Sequence, residues 1–434
     1  MAGLSRDQFL DLRPFRASPA FARLWIGSTL AGLGGQLTIV AVMLHVYDLT
    51  QSTFAVSMIA VVGLIPMVAA GLYGGMLADA FDRRVVALVA ASITFASTAL
   101  LAILAWTQLE SVWSLYALSI VNSAANSVVL ATRSAIVPRL LPRQLLPAAA
   151  ALQGITVGIM VMAGPALAGV LVATVGYAWT YSADVVLMTS LFLGLWTLPR
   201  IVPEGEIVRP GLESLRDGVA FLRRAANIRL QYILDITAMT FGQPLALFPA
   251  IGAVLLGGGA ITTGVLTAAF AAGAFVSSLL SGRIGRYRRH GLGIERAILV
   301  YGVAIGAFGI VLLIAALTSG TTGGAELAPR VGLLIAAVLV LAVAGGADNV
   351  SAIYRSTMMQ SAVPDAIRGR LQGIFIVVVA GGPRVGALYA GTLATFTTLW
   401  FPPLLGGLLI LAIVTTLVRL SPGFRAYDAD NPVP

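Results

Sequence analysis

The sequence predicts an all-α membrane protein with twelve transmembrane helices in two pseudo-symmetric six-helix bundles. Three observations predict it. Hydrophobic residues make up 58% of the 434 and charged residues only 10%, where a soluble domain carries about 25% charged. The apolar runs are long and continuous, unlike the alternating segments of about ten residues that build a membrane barrel. The positive charge falls into every second connection, as it does in a chain that crosses a bilayer repeatedly.

In chain order, residues 1–20 read as a polar, Arg-bearing cytoplasmic arm. The arm lacks an apolar core and a cleavage site, so no signal peptide is expected. Spans follow near 21–47, 54–77, 85–106, 112–133, 146–175 and 177–198, making an N-terminal bundle over 21–198. Each run suffices to cross about 30 Å of hydrocarbon. The linker, 199–226, is polar and carries Leu212, Leu215, Val219, Phe221 and Leu222 among Arg216, Arg223 and Arg224. That pattern predicts an amphipathic surface helix. The C-terminal bundle, 227–420, repeats the plan with spans near 230–255, 261–281, 294–317, 331–354, 371–396 and 400–420. The tail, 421–434, is polar and expected to be disordered.

All 27 basic residues are Arg, and the net charge is +9. Concentrated in one patch, that charge would suggest nucleic acid; spread over short loops it follows the positive-inside rule. Arg83, Arg84, Arg139, Arg143, the linker Arg, Arg283, Arg286, Arg288, Arg289, Arg368, Arg370 and both tails fall on one side. The opposite loops carry Asp48, Glu110, Glu326 and the single Arg330. Both termini are therefore expected in the cytoplasm. Cys is absent and His occurs only at 45 and 290, so no disulfide, metal site or cofactor is expected. No G-x-x-x-x-G-K-[ST] is present, which argues against ATP-driven pumping. Gly257-Gly258-Gly259 reads as a short outer loop.

The halves are related in sequence. Arg133-Ser134 reappears as Arg355-Ser356, an offset of 222 shared by Pro142 and Pro364 and by Asn126 and Asp348. Gln153-Gly154 answers Gln372-Gly373 at 219, and Gly164-Pro165 answers Gly382-Pro383 at 218. The ordered series aligns spans 4–5 with spans 10–11.

One short stretch is out of keeping with the apolar runs around it: Gly74-Gly75-Met76-Leu77-Ala78-Asp79-Ala80-Phe81-Asp82-Arg83-Arg84. It resembles the loop between helices 2 and 3 of the major facilitator superfamily, G-x-L-A-D-x-x-G-R-[KR]. Gly75, Leu77, Ala78, Asp79, Arg83 and Arg84 match; Asp82 stands where the pattern has Gly, so a looser or different turn is expected there. The loop variant, Pro19-Ala20-Phe21-x-x-Leu24, the Arg-Ser repeat and Met358-Met359-Gln360 leading to Pro364 and Gly369-Arg370 are similar to the siderophore-exporter (enterobactin-type) and macrolide-efflux-type branch. The resemblance implies two parallel six-helix bundles around a central cavity, rocking between inward- and outward-open states and driven by protons. It implies a small-molecule substrate, a proton as coupling ion, the lipid bilayer as setting, a monomer and the bacterial inner membrane.

Candidate residues follow by role. For gating, the resemblance places Asp79 against the N-terminus of span 11, a position worth about 0.3–2 kcal/mol to a carboxylate. Gly75, Arg83, Arg84, Gly369 and Arg370 accompany it. Arg133 and Arg355 end spans 4 and 10, where each either pairs with an acid or snorkels to headgroups. Asp348 lies seven residues before Arg355, about 10 Å along a helix axis and too far for an assured bond. Acids within apolar spans are rare and default to functional hypotheses, which makes Asp184, Asp235 and Asp348 candidates for proton coupling. Gln36, Asn122, Asn126, Gln243 and Arg384 are candidates for lining a substrate cavity, with helix-to-helix hydrogen bonding as the alternative for the amides. His45 is read as a buried neutral side chain with one hydrogen bond.

The expected function is proton-antiport export of a small amphipathic, siderophore-like molecule, with multidrug or macrolide efflux as the alternative. A lipid-modifying membrane enzyme would want clustered His or acidic metal ligands at one membrane face, which the sequence lacks. A transporter-like receptor or scaffold is the third reading.

Overall fold

The computed structural model describes residues 11–202, 220–284, 287–318, 330–363 and 365–433; within them the side chains at 79, 282–283, 365–370, 372–377 and 380 are excluded. The described chain is almost wholly helical. Among the described residues ten helices are long and apolar enough to cross a membrane, so this is a multi-pass membrane protein. One of the ten, over residues 143–196, is 54 residues long. A further helix, Asp365–Phe396, is 32 residues long.

The chain forms two compact units: Met1–His45 with Ile65–Arg209, and Val46–Leu64 with Pro210–Pro434. Residues 46–64, within the first two predicted spans, thus group with the C-terminal unit. The contact there is specific: the Thr53 hydroxyl donates to the Gly391 carbonyl at 3.0 Å.

The N-terminal unit contains α1 (Arg13–Ala17), most of α2 (Pro19–Thr50), α4 (Leu64–Ala80), α5 (Arg83–Thr107), α6 (Val112–Leu140) and α7 (Leu146–Trp196); α3 (Thr53–Val62) belongs to the other unit. Ser111 starts α6 with a reciprocal capping box to Ser114, satisfying amides that helix geometry leaves open. Inside α7, Gly176 has φ 81° and ψ 179°. Only glycine occupies that region without strain, and it falls between the fifth and sixth predicted spans. Beyond it, α7 runs antiparallel to α2 at close range. An added Cβ on Gly27 would meet the Ser190 carbonyl, and one on Gly194 the Arg23 carbonyl. Small residues let membrane helices approach until their backbones touch.

The C-terminal unit holds α8 (Ala226–Phe241), α9 (Gly259–Leu279), α10 (His290–Leu317), α11 (Val331–Ala362), α12 (Asp365–Phe396), α13 (Phe401–Arg419) and α14 (Pro422–Arg425). Its core gathers Leu234, Ile298, Tyr301, Met358, Ile410 and Val418, all at or below 1% exposed. The predicted span over 230–255 is interrupted: α8 stops at Gly242, and a 3-10 turn at Leu245–Leu247 and a π turn at Ile251–Leu255 follow. Pro244 cannot donate an amide to a continuing helix. The Gly242 carbonyl instead accepts the buried Tyr301 hydroxyl at 2.6 Å.

The tail departs from expectation. Phe424 and Tyr427 are buried, at 1% and 3% exposed. Arg425 Nε donates to Glu295 at 2.7 Å, and Arg288 is ion-paired with Asp428 and Asp430. The reading of disorder weighed the polar residues and overlooked two aromatic anchors. The predicted linker helix lies outside the described residues except at its end.

Candidate functional site

The turn at 81–84 is built by its own side chains. Asp82 caps α5: its Oδ1 accepts the Arg84 amide at 3.0 Å and the Ile201 amide at 3.2 Å. The expected different turn is thus an N-cap that also fixes the chain leaving α7. Arg83 donates to the carbonyls of Ala78 at 3.0 Å and Ala135 at 2.9 Å, and Arg84 to that of Trp196 at 2.7 Å. Ala78 and Trp196 end helices, where carbonyls lack helical partners and carry partial negative charge. The two Arg therefore bind the ends of α4 and α7, and Arg83 also ties to α6 through Ala135. The close approach in this loop is at Gly74, against Val128 of α6; a Cβ on Gly75 would meet nothing within 4 Å. Of Asp79, Gly369 and Arg370 only the helical backbone is described, and their side chains lie outside the described residues.

In the C-terminal unit the structure brings Asp235 and Arg355 together. The Arg355 guanidinium bonds directly to the Asp235 carboxylate, with Asp235 at 0% and Arg355 at 5% exposed. Asp348 is in electrostatic reach of both. Beside the pair is a cavity of about 120 Å³ lined by Gln231, Tyr232, Asp235, Arg355, Ser356, Met359 and Gln360. Asp235 Oδ2, Arg355 Nε and Gln231 Oε1 are buried without a hydrogen-bond partner. Unpaired polar atoms of this kind are costly to bury, and their convergence on one polar cavity marks a place where water, protons or a ligand group can be exchanged.

In the N-terminal unit Asp184 is 1% exposed and accepts the Thr38 hydroxyl at 2.5 Å. Gly34 lies against it, so that an added Cβ would strike Asp184 Oδ1. Asn122 donates to Thr98 at 2.9 Å and to Ser97 at 3.2 Å, joining α6 to α5. The amide is thus engaged as helix-to-helix bonding rather than left open to a cavity. Asn349, which the sequence reading passed over, does the same for α11 and α9 through Ser277 at 2.8 Å and Ser278 at 3.0 Å.

The model of one protein family, described as transmembrane secretion effector, matches residues 11–433. The chain belongs to that family. Among curated proteins it is similar to the enterobactin exporter EntS of Citrobacter koseri, 27% identical over 98% of this chain and 97% of that one. EntS of Shigella flexneri is 28% identical over 94% and 95%. Among solved structures, the nucleoside transporter NupG, as a point mutant, superposes with a TM-score of 0.71 at 16% identity, covering 93% of this chain and 100% of that one. The fold is that of the major facilitator transporters. This family member is a secondary transporter and not an enzyme, which removes the lipid-modifying alternative.

The remaining candidates take separate places in this transporter. Arg133 is half-buried, and among the described residues no acid is paired with it as Asp235 is with Arg355. Gln36 is half-buried on α2 with its Cβ against Gly164, and Asn126 is exposed on α6. Gln243 follows α8 beside Gly386. Arg384 is half-buried between Gly382 and Gly386, which pack on Met239. Two residues is 200° around a helix, so Arg384 faces away from α8. His45 is buried, as expected, with Nδ1 3.2 Å from the Tyr181 hydroxyl and Nε2 3.4 Å from Glu110 Oε1.

Proposed function

We propose that this protein is a proton-coupled exporter of a small, amphipathic, siderophore-like molecule, working by alternating access of twelve spans in the bacterial inner membrane with both termini in the cytoplasm. The observation that carries the coupling is the buried Asp235–Arg355 pair with its neighbour Asp348. Charges inside an apolar span persist where they serve ion or substrate movement. A proton on Asp235 would break the pair, and release of that proton would restore it, giving the unit two charge states of different packing. Asp184 supplies a second buried acid in the other unit. Relatives named as enterobactin exporters support a siderophore as substrate. The gate is assigned to the loop at 75–84 and to Arg370.

Proteoliposomes containing the purified protein test this. Enterobactin should accumulate against its gradient when a pH gradient is applied, and Asp235→Asn should abolish that accumulation. Movement indifferent to the pH gradient would leave facilitated diffusion and remove proton coupling. Accumulation of a macrolide but not of enterobactin would transfer the same mechanism to drug efflux.

A further inference from the structure

A second cluster of titratable groups sits in the N-terminal unit, at the end of α2 remote from the N-terminal arm. His45 is buried, and its ring lies flat on that of Tyr177, centroids 4.1 Å apart and planes 3° apart. Nδ1 is 3.2 Å from the Tyr181 hydroxyl and Nε2 is 3.4 Å from Glu110 Oε1. The second carboxylate oxygen of Glu110 is buried without a partner. The same seam continues inward. On α2, Thr38 lies seven residues before His45, two helical turns away; on α7, Asp184 lies one turn beyond Tyr181. Thr38 and Asp184 are themselves hydrogen-bonded. Exposure falls along this line, from 18% at the Glu110 side chain to 4% at His45 and to 0% and 1% at Tyr181 and Asp184. On α2 itself Tyr47 and Asp48 follow His45 in sequence, and Tyr177, stacked on the ring, is on α7.

From this placement the geometry points to a proton-loading site, Glu110–His45–Tyr181, on the same α2–α7 seam as the buried acid Asp184. The inference rests on the proton-coupled reading above and specifies where, in this unit, the proton enters. Imidazole suits the task because its two nitrogens let it take a proton on one side while it keeps a hydrogen bond on the other. A proton from water reaches Glu110 and passes to Nε2 of a ring carrying its hydrogen on Nδ1. The ring then holds that proton as an imidazolium, its Nδ1 hydrogen shared with the Tyr181 oxygen, and returns to the neutral form when the proton leaves again through Glu110. The stacked Tyr177 face holds the ring in plane, and cation–π attraction favours the protonated ring in that position.

With only two histidines in the chain, nitrogen-15 histidine NMR of the whole protein in nanodiscs reads this site directly, with His45→Gln and His290→Gln assigning the two signals. The His45 nitrogen signals should change with pH, and Glu110→Gln should lower the proton affinity of His45 about tenfold. Tyr181→Phe should change the tautomer ratio. In proteoliposomes, His45→Gln should slow pH-driven enterobactin accumulation about tenfold while leaving gradient-free enterobactin exchange at the wild-type rate. A His45 signal constant from pH 5 to 9, or a His45→Gln protein driven normally by the pH gradient, overturns the loading site. If wild-type transport responds to pH while His45 is silent, this route alone is wrong. If wild-type transport ignores pH, the coupling reading fails and this route with it.

Discussion

Arg355 and Asp235, 120 residues apart in the chain, form a buried ion pair with an unpartnered oxygen on one side and an unpartnered Nε on the other. Taking either partner away leaves the other as an isolated charge in the interior, which costs about 3–5 kcal/mol. Arg355→Gln, which strands Asp235, should therefore lower thermal stability in detergent sharply. The double change Asp235→Asn with Arg355→Gln should recover much of that loss, because two neutral amides replace two charges. Transport should stay absent in the double variant if the pair carries the coupling. A single variant as stable as the wild type would show that the pair is not what holds α8 to α11.

Asp184 gives a cleaner separation of stability from function. Asn in its place keeps an oxygen for the Thr38 hydroxyl, now 2.5 Å from the carboxylate, so Asp184→Asn should fold normally. It should lose pH-driven accumulation and keep gradient-free exchange. Gly34→Ala should do the reverse at the level of folding: the new methyl meets Asp184 Oδ1, and overpacking of this kind costs about 1–3 kcal/mol. Thermal unfolding of the two variants side by side checks both statements; an unaffected Gly34→Ala would mean that α2 and α7 are free to move apart there.

The fold was legible to the extent that it depends on local signals. Continuous apolar runs mark the spans, and the break between the fifth and sixth falls at Gly176, where the runs meet. Pro244 and Gly242 were the visible warning that the span over 230–255 is interrupted. The site was legible as a set of residue types and not as a set of partners. Asp235 and Arg355 each stood out as charges in apolar surroundings, yet proximity in sequence directed attention to Asp348. Helix-to-helix pairing depends on rotation and register, which a single sequence does not specify. His45 and Glu110 both lie at predicted span ends on the same side of the membrane, but with Glu110 read as a loop charge and His45 as a buried neutral side chain, nothing in the sequence joins them.

Asp82 stands where the resembling loop pattern has Gly, and the cap it makes is its justification. Asp82→Ala should cost about 0.5–2 kcal/mol, as loss of an N-cap does, whereas Asp82→Asn should cost little because the amide oxygen accepts the same bonds. Amide hydrogen exchange provides a local readout. The Arg84 and Ile201 amides, at 3.0 and 3.2 Å from Asp82 Oδ1, should both exchange faster in the Ala variant. Faster exchange at Arg84 alone would show that the tie to the chain after α7 has another source.

The docked tail carries a pH dependence whose sign follows from Tyr427. Burial raises the phenol's pKa above its ordinary value, with the Ser361 hydroxyl at 3.2 Å acting in the opposite sense. A raised folded-state value means that the neutral phenol is the form the docked tail prefers. Its contribution is complete below the ordinary phenol pKa of about 10 and is lost as pH rises through the higher folded value. Limited hydrogen exchange over residues 424–431 should therefore show intrinsic-rate-corrected protection constant through neutral pH and falling above about pH 10. Tyr427→Phe removes the ionisation and should flatten that fall while keeping most of the aromatic contact. If the Phe variant loses protection over the same alkaline interval, the release belongs to another group, and Tyr427 serves only as an apolar anchor.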